Sequence, residues 1–401
     1  MEIDFTPWLN MAIRWLHMIT GIAWIGSSFY FVWLDNHLEK PKDPKKGMSG
    51  ELWSVHGGGF YHKQKYAVAP EAMPDNLHWF KWEAYFTWMS GFALMALIYY
   101  YGADLFLIDK AKMDLSQGQA IAISLAFIAG GWLIYDGLCR SPLGSNNKLI
   151  AVIWFSLLTG AAYALTHIFN DRAAYVHIGV IVGSVMAFNV FMVIIPNQKK
   201  VVASLIAGEA PDARLGVIGK QRSLHNNYMT LPVLLMMISN HYPMTFSNPY
   251  SWVILAGLAL VGVLIRHYFN MRHKGEASML LPFAAAGLFV LLIIFAADME
   301  ARKRAGFADV SADFIQVQAL VEKHCVACHA AVPAHESFDE APAGVRLDEA
   351  RLIRQHAPRI LEQAVKSDIM PLGNETGMTD EDRAILGKWI NDTMKENASK
   401  E

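Results

Sequence analysis

A chain of 401 residues with 54% hydrophobic and only 17% charged residues is more apolar than typical soluble proteins. The formal net charge of −2 argues against the basic surface that nucleic-acid-binding proteins use, so no nucleic-acid partner is expected. Charged residues are sparse in long stretches before Asp298 and abundant after it. The composition therefore predicts a membrane-embedded part followed by a small soluble part.

Eight apolar segments are candidates for membrane-spanning helices, because about 20 residues cross roughly 30 Å of hydrocarbon. They cover residues 9–34, 80–101, 119–138, 148–168, 174–195, 226–241, 250–269 and 278–297. The sixth segment is the weakest, since it is short and carries Pro232. The acidic stretch 1–7 lacks the basic region of a cleaved signal peptide, so the first helix is expected to act as an uncleaved insertion signal.

Lysine and arginine are concentrated in the loops on one side of these segments. Loops of this kind stay in the cytoplasm, so the N-terminus is predicted to lie outside. An even number of spans then returns the C-terminal part to the same side. The sequence predicts a multi-pass protein of a bacterial inner membrane, surrounded by lipid, with its N-terminus and C-terminal domain on the periplasmic side.

A Cys-Val-Ala-Cys-His motif runs from Cys325 to His329. This is the attachment pattern of a c-type haem: the thiols of Cys325 and Cys328 bind the two vinyl groups, and His329 binds the iron. A disulfide or a zinc pair is the alternative, but no second Cys/His pair at zinc spacing follows. We therefore predict one covalent haem c. Its attachment outside the cytoplasm agrees with the loop charges.

The second axial ligand of the iron is predicted to be Met370, in the sequence Asp-Ile-Met-Pro-Leu. The alternative is Met378, which directly precedes Thr379, a natural N-cap for a helix beginning at Asp380. A methionine in that position more often packs against a core than binds a metal. Met370 is therefore preferred.

These observations predict an all-α protein in three parts. A polytopic bundle of eight transmembrane helices occupies residues 1–300, a linker 301–310, and a class I cytochrome c domain 311–401. Within the last part, helices are expected over 311–323, near 350–367 and at the C-terminal end.

Ionisable residues inside a bilayer are costly and mark candidate functional sites. Four histidines fall in the outer half of the predicted bundle or at its outer surface: His17, His167, His177 and His241. Arg14, His17 and Trp24 share one face of the first helix. A single interfacial histidine is usually a snorkelling side chain, but four at one level beneath a haem domain favour a site.

Six short motifs along the chain together resemble those of a known protein family. They are Trp15-Leu16-His17, Gly21-Ile22-Ala23-Trp24-Ile25-Gly26, Phe29-Tyr30-Phe31, His56-Gly57-Gly58-Gly59-Phe60-Tyr61, His78-Trp79-Phe80-Lys81-Trp82-Glu83 and Met370-Pro371-Leu372-Gly373-Asn374. Over essentially the whole chain, the arrangement resembles the membrane-bound cytochrome c urate oxidase (urate hydroxylase) family, in which an eight-helix domain is fused to a cytochrome c. The resemblance implies an oxidoreductase of purine catabolism that converts urate to 5-hydroxyisourate, with water as the oxygen source. Electrons are expected to leave through haem c to an acceptor such as a cytochrome c or a terminal oxidase.

Urate oxidation removes two electrons, whereas one haem accepts one. Either a second cofactor lies among the helices, or the haem is emptied between two one-electron steps. The first helix also resembles that of membrane protoporphyrinogen oxidases, in which a helix histidine binds a b-type haem. Because these histidines lie at a common depth, we predict a b-type haem held by His17, with His167 or His177 opposite. The alternative is that these histidines bind substrate or cap helix ends.

A planar anionic purine requires aromatic faces, arginine or lysine, and backbone donors. The outer candidate site consists of Arg14, His17, Trp24, Arg172 and His177, with His167 as a further candidate. The inner candidate consists of the stretch His56 to Phe60 with His62, Lys63 and Lys65, although its glycines also suit a flexible loop. The outer site is preferred because the haem is expected there.

Two other functions remain open. The first is that of a non-catalytic electron-transfer subunit, for which one anchoring helix would suffice. The second is that of a quinol-oxidising component. In the latter case a quinol, and not urate, reduces the haem.

Overall fold

The computed structural model describes residues 5–67, 70, 74, 76–305 and 312–398. The α-helices of these residues are α1 Thr6–His37, α2 Trp82–Met95, α3 Ala103–Phe106, α4 Gln117–Arg140, α5 Asn147–Ile168, α6 Asp171–Phe188, α7 Ile195–Ile206, α8 Ala213–Ile238, α9 Pro243–Phe246, α10 Ser251–His273, α11 Leu280–Ala305, α12 Phe314–His324, α13 Ala350–Ile360 and α14 Asp380–Ala398. Two strands, β1 Met48–His56 and β2 Gly59–Tyr66, form a hairpin. Helix α2 continues into a π-helical turn at Ala96–Tyr100, and a second one at Asn189–Ile194 joins α6 to α7.

Five helices in the described part of the chain are long and apolar enough to cross a membrane. They are Gln117–Arg140, Asn147–Ile168, Asp171–Ile206, Ser251–His273 and Leu280–Met299. They coincide with the third, fourth, fifth, seventh and eighth predicted segments. The first, second and sixth predicted segments are also largely helical, as α1, α2 and α8, but α2 is short and α1 and α8 are more polar. The fold is therefore that of a mainly helical membrane-type protein, and three of the eight predicted spans remain predictions.

Helix α6 forms the centre of the bundle. It packs against α2, α4, α5 and α8, and most of its residues are buried. A helix that is apolar all round is expected in such a surrounded position. Close approach depends on small residues: a Cβ atom on Gly131 of α4 would stand 2.6 Å from the Ile181 side chain of α6. By contrast, α11 buries little of its surface, as expected for a helix that faces lipid.

The segment between α1 and α2 contains a β-hairpin that the all-α prediction missed. Strands β1 and β2 pair antiparallel with Val55 opposite Phe60. Gly57 and Gly58 form the two-residue turn, with φ angles of +59° and +78°. Turns of this type need a positive φ at both central positions, which glycine adopts without strain. The glycine run is thus explained by the turn, and this part of the predicted loop is an ordered hairpin.

A buried ion pair joins α4 to α8. The buried Arg222 donates from Nη2 to Asp136 Oδ1 at 2.6 Å and from Nη1 to Asn189 Oδ1 at 3.2 Å. Tyr135 is part of the same network, because the Asn189 side-chain amide donates to its hydroxyl at 3.2 Å. The network holds three helices of the bundle together through polar contacts.

Asp136→Asn is expected to lower the free energy of unfolding by about 3–5 kcal/mol, because Arg222 then stays buried without a counter-charge. Thermal unfolding in detergent measures the effect. Asp212→Asn is the matched control, since Asp212 forms an exposed pair with Arg214 and its loss should leave stability unchanged. Equal effects of the two substitutions would contradict the importance of the buried pair.

Residues 312–398 form a separate small helical unit. Helices α12, α13 and α14 enclose a core that includes Val321, Leu386 and Ile390. Asp313 caps α12 together with Gln316, and a π-helical turn extends α13. The three predicted helices of this unit are confirmed in position. Its nature as a cytochrome c domain remains a prediction.

The predicted linker 301–310 is only partly described. Its first residues, 301–305, continue α11 as helix. The remainder, 306–310, lies outside the described residues.

Candidate functional site

The predicted haem motif directly follows α12. Neither Cys325 nor Cys328 forms a disulfide. His329 Nδ1 donates to the Val345 carbonyl oxygen at 2.8 Å. This hydrogen bond fixes the tautomer and leaves Nε2 available to bind a metal, as is usual for metal-binding histidines. The residues present therefore fit a c-type haem.

The two thiols are unsuited to a redox-active disulfide. Burial raises the pKa of the Cys325 thiol to about 12, and it also raises the pKa of the Cys328 thiol. Both thiols are therefore protonated at neutral pH. Redox-active Cys-X-X-Cys centres depend on the opposite, a thiol whose pKa is lowered.

The two candidate methionines have different surroundings. Met378 is buried in the core of the unit, and Asn374 hydrogen-bonds to both its backbone N–H and its carbonyl. Met370 lies at the edge of the same core, and its carbonyl accepts a hydrogen bond from Arg383 Nη1 at 2.8 Å. Met378 thus serves as a packing residue, and Met370 stays the predicted ligand.

The Met370 loop, residues 368–374, lies against one end of the membrane bundle. The Asp368 backbone N–H donates to Ser247 Oγ at 3.1 Å. Ile369 packs against the main apolar core of the bundle. The predicted axial ligand is therefore flanked by residues that contact the membrane part directly.

Gly373→Ala is expected to separate this loop from the bundle. A Cβ atom on Gly373 would stand 2.6 Å from the Asp104 carbonyl oxygen and 3.1 Å from that of Leu105, so the two surfaces must move apart. We expect faster hydrogen–deuterium exchange in residues 368–374.

Gly377→Ala is the matched control for this substitution. Gly377 also has a positive φ, +64° against +58° at Gly373, but nothing lies within 4 Å of its added Cβ. The control therefore introduces comparable backbone strain without the clash. Identical behaviour of the two variants would show that strain, and not the contact with Asp104, determines the result.

A polar cavity of about 130 Å³ separates the loop from the bundle beside this contact. Its charged and amide lining residues are Asp109, Lys112, Asn170, Asp171, Arg172, Asp368, Asn374, Asp380 and Arg383. Lys112 Nζ pairs with Asp171 Oδ1 at 2.6 Å across the end of α6. A cavity of this size and polarity is suited to hold water.

Tyr99, which the sequence analysis missed, connects members of the predicted outer site. Its ring is buried and lies 6.2 Å from the His177 ring. Arg14 and Arg172 both lie within electrostatic range of its hydroxyl. The hydrogen-bond partners of the two guanidinium groups in the described residues are neutral amides, Asn10 for Arg14 and Asn240 for Arg172. The structure thus brings Arg14, Arg172 and His177 together around a tyrosine.

His17 belongs to the same region but contacts α2. Its Nδ1 donates to the Thr87 carbonyl oxygen at 2.9 Å, and its ring packs tightly on Gly91. Its Nε2 has no hydrogen-bond partner among the residues described. Trp24, in contrast, packs between two apolar clusters of the bundle. His17 therefore keeps a free nitrogen for chemistry, whereas Trp24 has a packing role.

His177 is not available as an iron ligand in this structure. It is completely buried, with Nδ1 bonded to the Ala173 carbonyl at 2.7 Å and Nε2 to Ser124 Oγ at 2.8 Å. A metal-binding imidazole needs one free nitrogen. A b-type haem between His17 and His177 therefore does not fit.

His167, the other predicted partner, lies at the surface of α5. Its Nδ1 donates to the Tyr163 carbonyl at 2.7 Å, and the two rings are 4.4 Å apart. No group of three or more His, Cys, Asp or Glu residues able to hold a metal ion occurs in the described ranges. A b-type haem on His17 and His167 remains a prediction.

The inner candidate site is less suited to an anion than its sequence suggested. His62 pairs with Glu51 at 2.8 Å, and Lys65 pairs with Asp35 at 2.7 Å. Two of the expected cationic groups are thus already neutralised within the hairpin region. The outer site retains two arginines whose charge no described carboxylate neutralises.

The fold and these residues define a helical membrane-type protein with a candidate redox site at one end of its bundle. Comparison with known families shows that the chain belongs to the urate oxidase N-terminal family, which matches residues 4–297. The match ends before the unit 312–398, so it is informative about the bundle alone. No curated protein and no solved structure matches the chain. Family membership indicates that the chain is an oxidoreductase related to urate oxidases.

Proposed function

We propose that the protein oxidises urate at the outer end of its bundle and delivers the electrons to a haem c. Cys325, Cys328, His329 and Met370 hold the haem. The observation that carries the proposal is the position of Arg172, which lines the cavity beneath the Met370 loop and lies within electrostatic range of Tyr99. The site of oxidation and the site of electron acceptance thus adjoin the same residue. The family match supports urate as the substrate.

The reaction balances as urate plus water giving 5-hydroxyisourate, two protons and two electrons. Arg14 and Arg172 provide the positive charge that binds the purine anion. His17, with its free Nε2, accepts a proton. The polar cavity next to Arg172 supplies water.

Haem c, when bound, supplies one-electron acceptance. A single haem c would hold one electron at a time, so a downstream acceptor such as a cytochrome c or a terminal oxidase would be needed to take both electrons of urate. We place this chemistry on the periplasmic side of a bacterial inner membrane, where covalent haem attachment takes place.

Anaerobic turnover in oxygen-18-labelled water, with ferricyanide as electron acceptor, tests the reaction. The proposal predicts two ferricyanide ions reduced per urate and one labelled oxygen atom in the product. A strict requirement for molecular oxygen would refute it.

Quinol oxidation is the second candidate, and one feature favours it. A cavity of about 630 Å³ with mainly apolar lining lies between α5, α8 and α10. At one end His225 and His267 hydrogen-bond to the hydroxyl groups of Tyr135 and Tyr228, at 2.8 and 2.7 Å. Such a cavity suits the apolar tail of a membrane quinol. Reduction of the haem by decylubiquinol, without any reduction by urate, would establish this candidate instead.

A further inference from the structure

The inner half of the bundle contains a buried arginine without a described counter-charge. Arg266 of α10 is 5% exposed. Its Nε donates to Asn227 Oδ1 at 3.0 Å, and its guanidinium carbon lies 4.0 Å from the centre of the Phe29 ring. No described Asp or Glu pairs with it, in contrast to Arg222, which pairs with Asp136. An unpaired buried charge is costly, and in membrane proteins it commonly marks a ligand or ion site.

Two asparagines beside Arg266 also keep unpaired atoms. Asn227 Oδ1 accepts from Arg266 Nε and from Asn270 Nδ2, at 3.0 and 2.8 Å, which determines the orientation of both amides. Within the described part of the chain, Asn227 Nδ2 and Asn270 Oδ1 have no hydrogen-bond partner, although the residues are only 0% and 6% exposed. Buried polar atoms normally have partners, so each exception needs an explanation.

The cluster lies far along α10 from the haem-motif unit. Ser247, just before α10, contacts that unit, whereas Arg266 lies in the last third of the helix. Helix α1 contributes Phe29, and α8 contributes Asn227. The three helices therefore converge on one unneutralised charge, one free amide donor and one free amide acceptor.

We infer that Arg266, Asn227 and Asn270 form a second binding site, for an anionic oxopurine, in the inner half of the bundle. Carbonyl oxygens of such a ligand accept from the guanidinium group and from Asn227 Nδ2, and a ring N–H donates to Asn270 Oδ1. Chloride and sulfate have no donor for Asn270. The choice of a purine rests on the proposed function. The site binds substrate at the end of the bundle opposite the site of oxidation.

Equilibrium dialysis of the full-length haem protein with labelled urate tests this inference. The protein is kept anaerobic and reduced with dithionite, so that no turnover occurs. Wild type is expected to bind two urates per chain and Arg266→Gln one. Arg272→Gln, an exposed position on the same helix, should still bind two. Equal binding by wild type and Arg266→Gln would overturn the inference, as would the absence of binding to wild type.

Asn270→Asp separates binding from stability. The new carboxylate lies four residues after Arg266 and neutralises it, so the midpoint of thermal unfolding should not fall while the inner urate is lost. Unchanged urate binding by this variant would overturn the inference.

A parallel measurement with Arg172→Gln distinguishes the two sites. Wild type could bind a single urate that is lost in Asn270→Asp and kept in Arg172→Gln. In that case the inner site is supported and the outer site of the proposed function is refuted. A single urate that is kept in Asn270→Asp and lost in Arg172→Gln overturns the inner site and leaves the proposed function intact.

Discussion

If the proposed function is correct, replacing Cys325 and Cys328 together by serine is expected to abolish covalent haem attachment and to reduce urate-dependent electron output to background. Both thioether links depend on these thiols, so His329 and Met370 alone cannot retain the group after denaturation. Peroxidase staining of the denatured protein on a gel measures attachment, and ferricyanide reduction by urate measures output. This is the largest effect that the proposal predicts for the C-terminal unit.

Cys139→Ser is the control within the same chain. Cys139 is half-buried in α4, where its thiol lies 3.9 Å from the His225 ring, and it has no part in the motif. This variant should keep both its haem and its activity. A double serine variant that still carries covalently bound haem would show that the motif at 325–329 is not the attachment site.

Arg172→Gln is expected to lower kcat/KM for urate by about 100-fold, which corresponds to about 2.7 kcal/mol. Removing one partner of a buried, charged hydrogen-bonded pair costs about 2–5 kcal/mol. In the proposed function Arg172 supplies charge to the purine anion, and it lines the cavity beneath the Met370 loop. Steady-state rates with ferricyanide over a range of urate concentrations measure the change.

Two controls accompany this variant. Arg302→Gln removes a largely exposed arginine that pairs with Asp298 in the last turns of α11, and kcat/KM should stay at the wild-type value. Reduction of Arg172→Gln with dithionite should give a normal haem spectrum, which shows that the C-terminal unit is intact. Wild-type kcat/KM in Arg172→Gln would exclude the outer site as the place where urate binds.

The apolar helices were the most predictable part of the fold. Long runs without charge leave no alternative to burial or lipid contact, so α4, α5, α6, α10 and α11 coincide with predicted segments. The helix beginning at Asp380 was equally readable, because its cap Thr379 is a local signal. Hairpin 48–66 was missed because its glycines were interpreted as a loop, whereas their positive φ angles serve a tight turn.

The candidate site was predicted only in part. Arg14, His17 and Arg172 were selected from their type and depth, and the structure places two of them beside Tyr99. Tyr99 itself was overlooked within an apolar segment, although three consecutive tyrosines end that segment. The second nitrogen of His177, Nε2, is engaged by Ser124, which lies 53 residues away in the sequence. No local sequence pattern reveals this contact.

The inner cluster of Arg266, Asn227 and Asn270 could likewise be predicted only in part. Arg266 within an apolar segment was a visible signal, since a charge inside a membrane helix needs a reason. Its partners Asn227 and Phe29 lie on two other helices, and their convergence follows from packing alone. The contact of Gly373 with α3 is likewise a product of tertiary structure.

Anaerobic visible spectroscopy of the purified, oxidised protein is the most direct test of the central proposal. The account predicts that the α-band of reduced haem c appears on addition of urate and does not appear with xanthine or allantoin. A band that stays absent with urate and rises with a quinol would contradict the account and assign the chain to quinol oxidation.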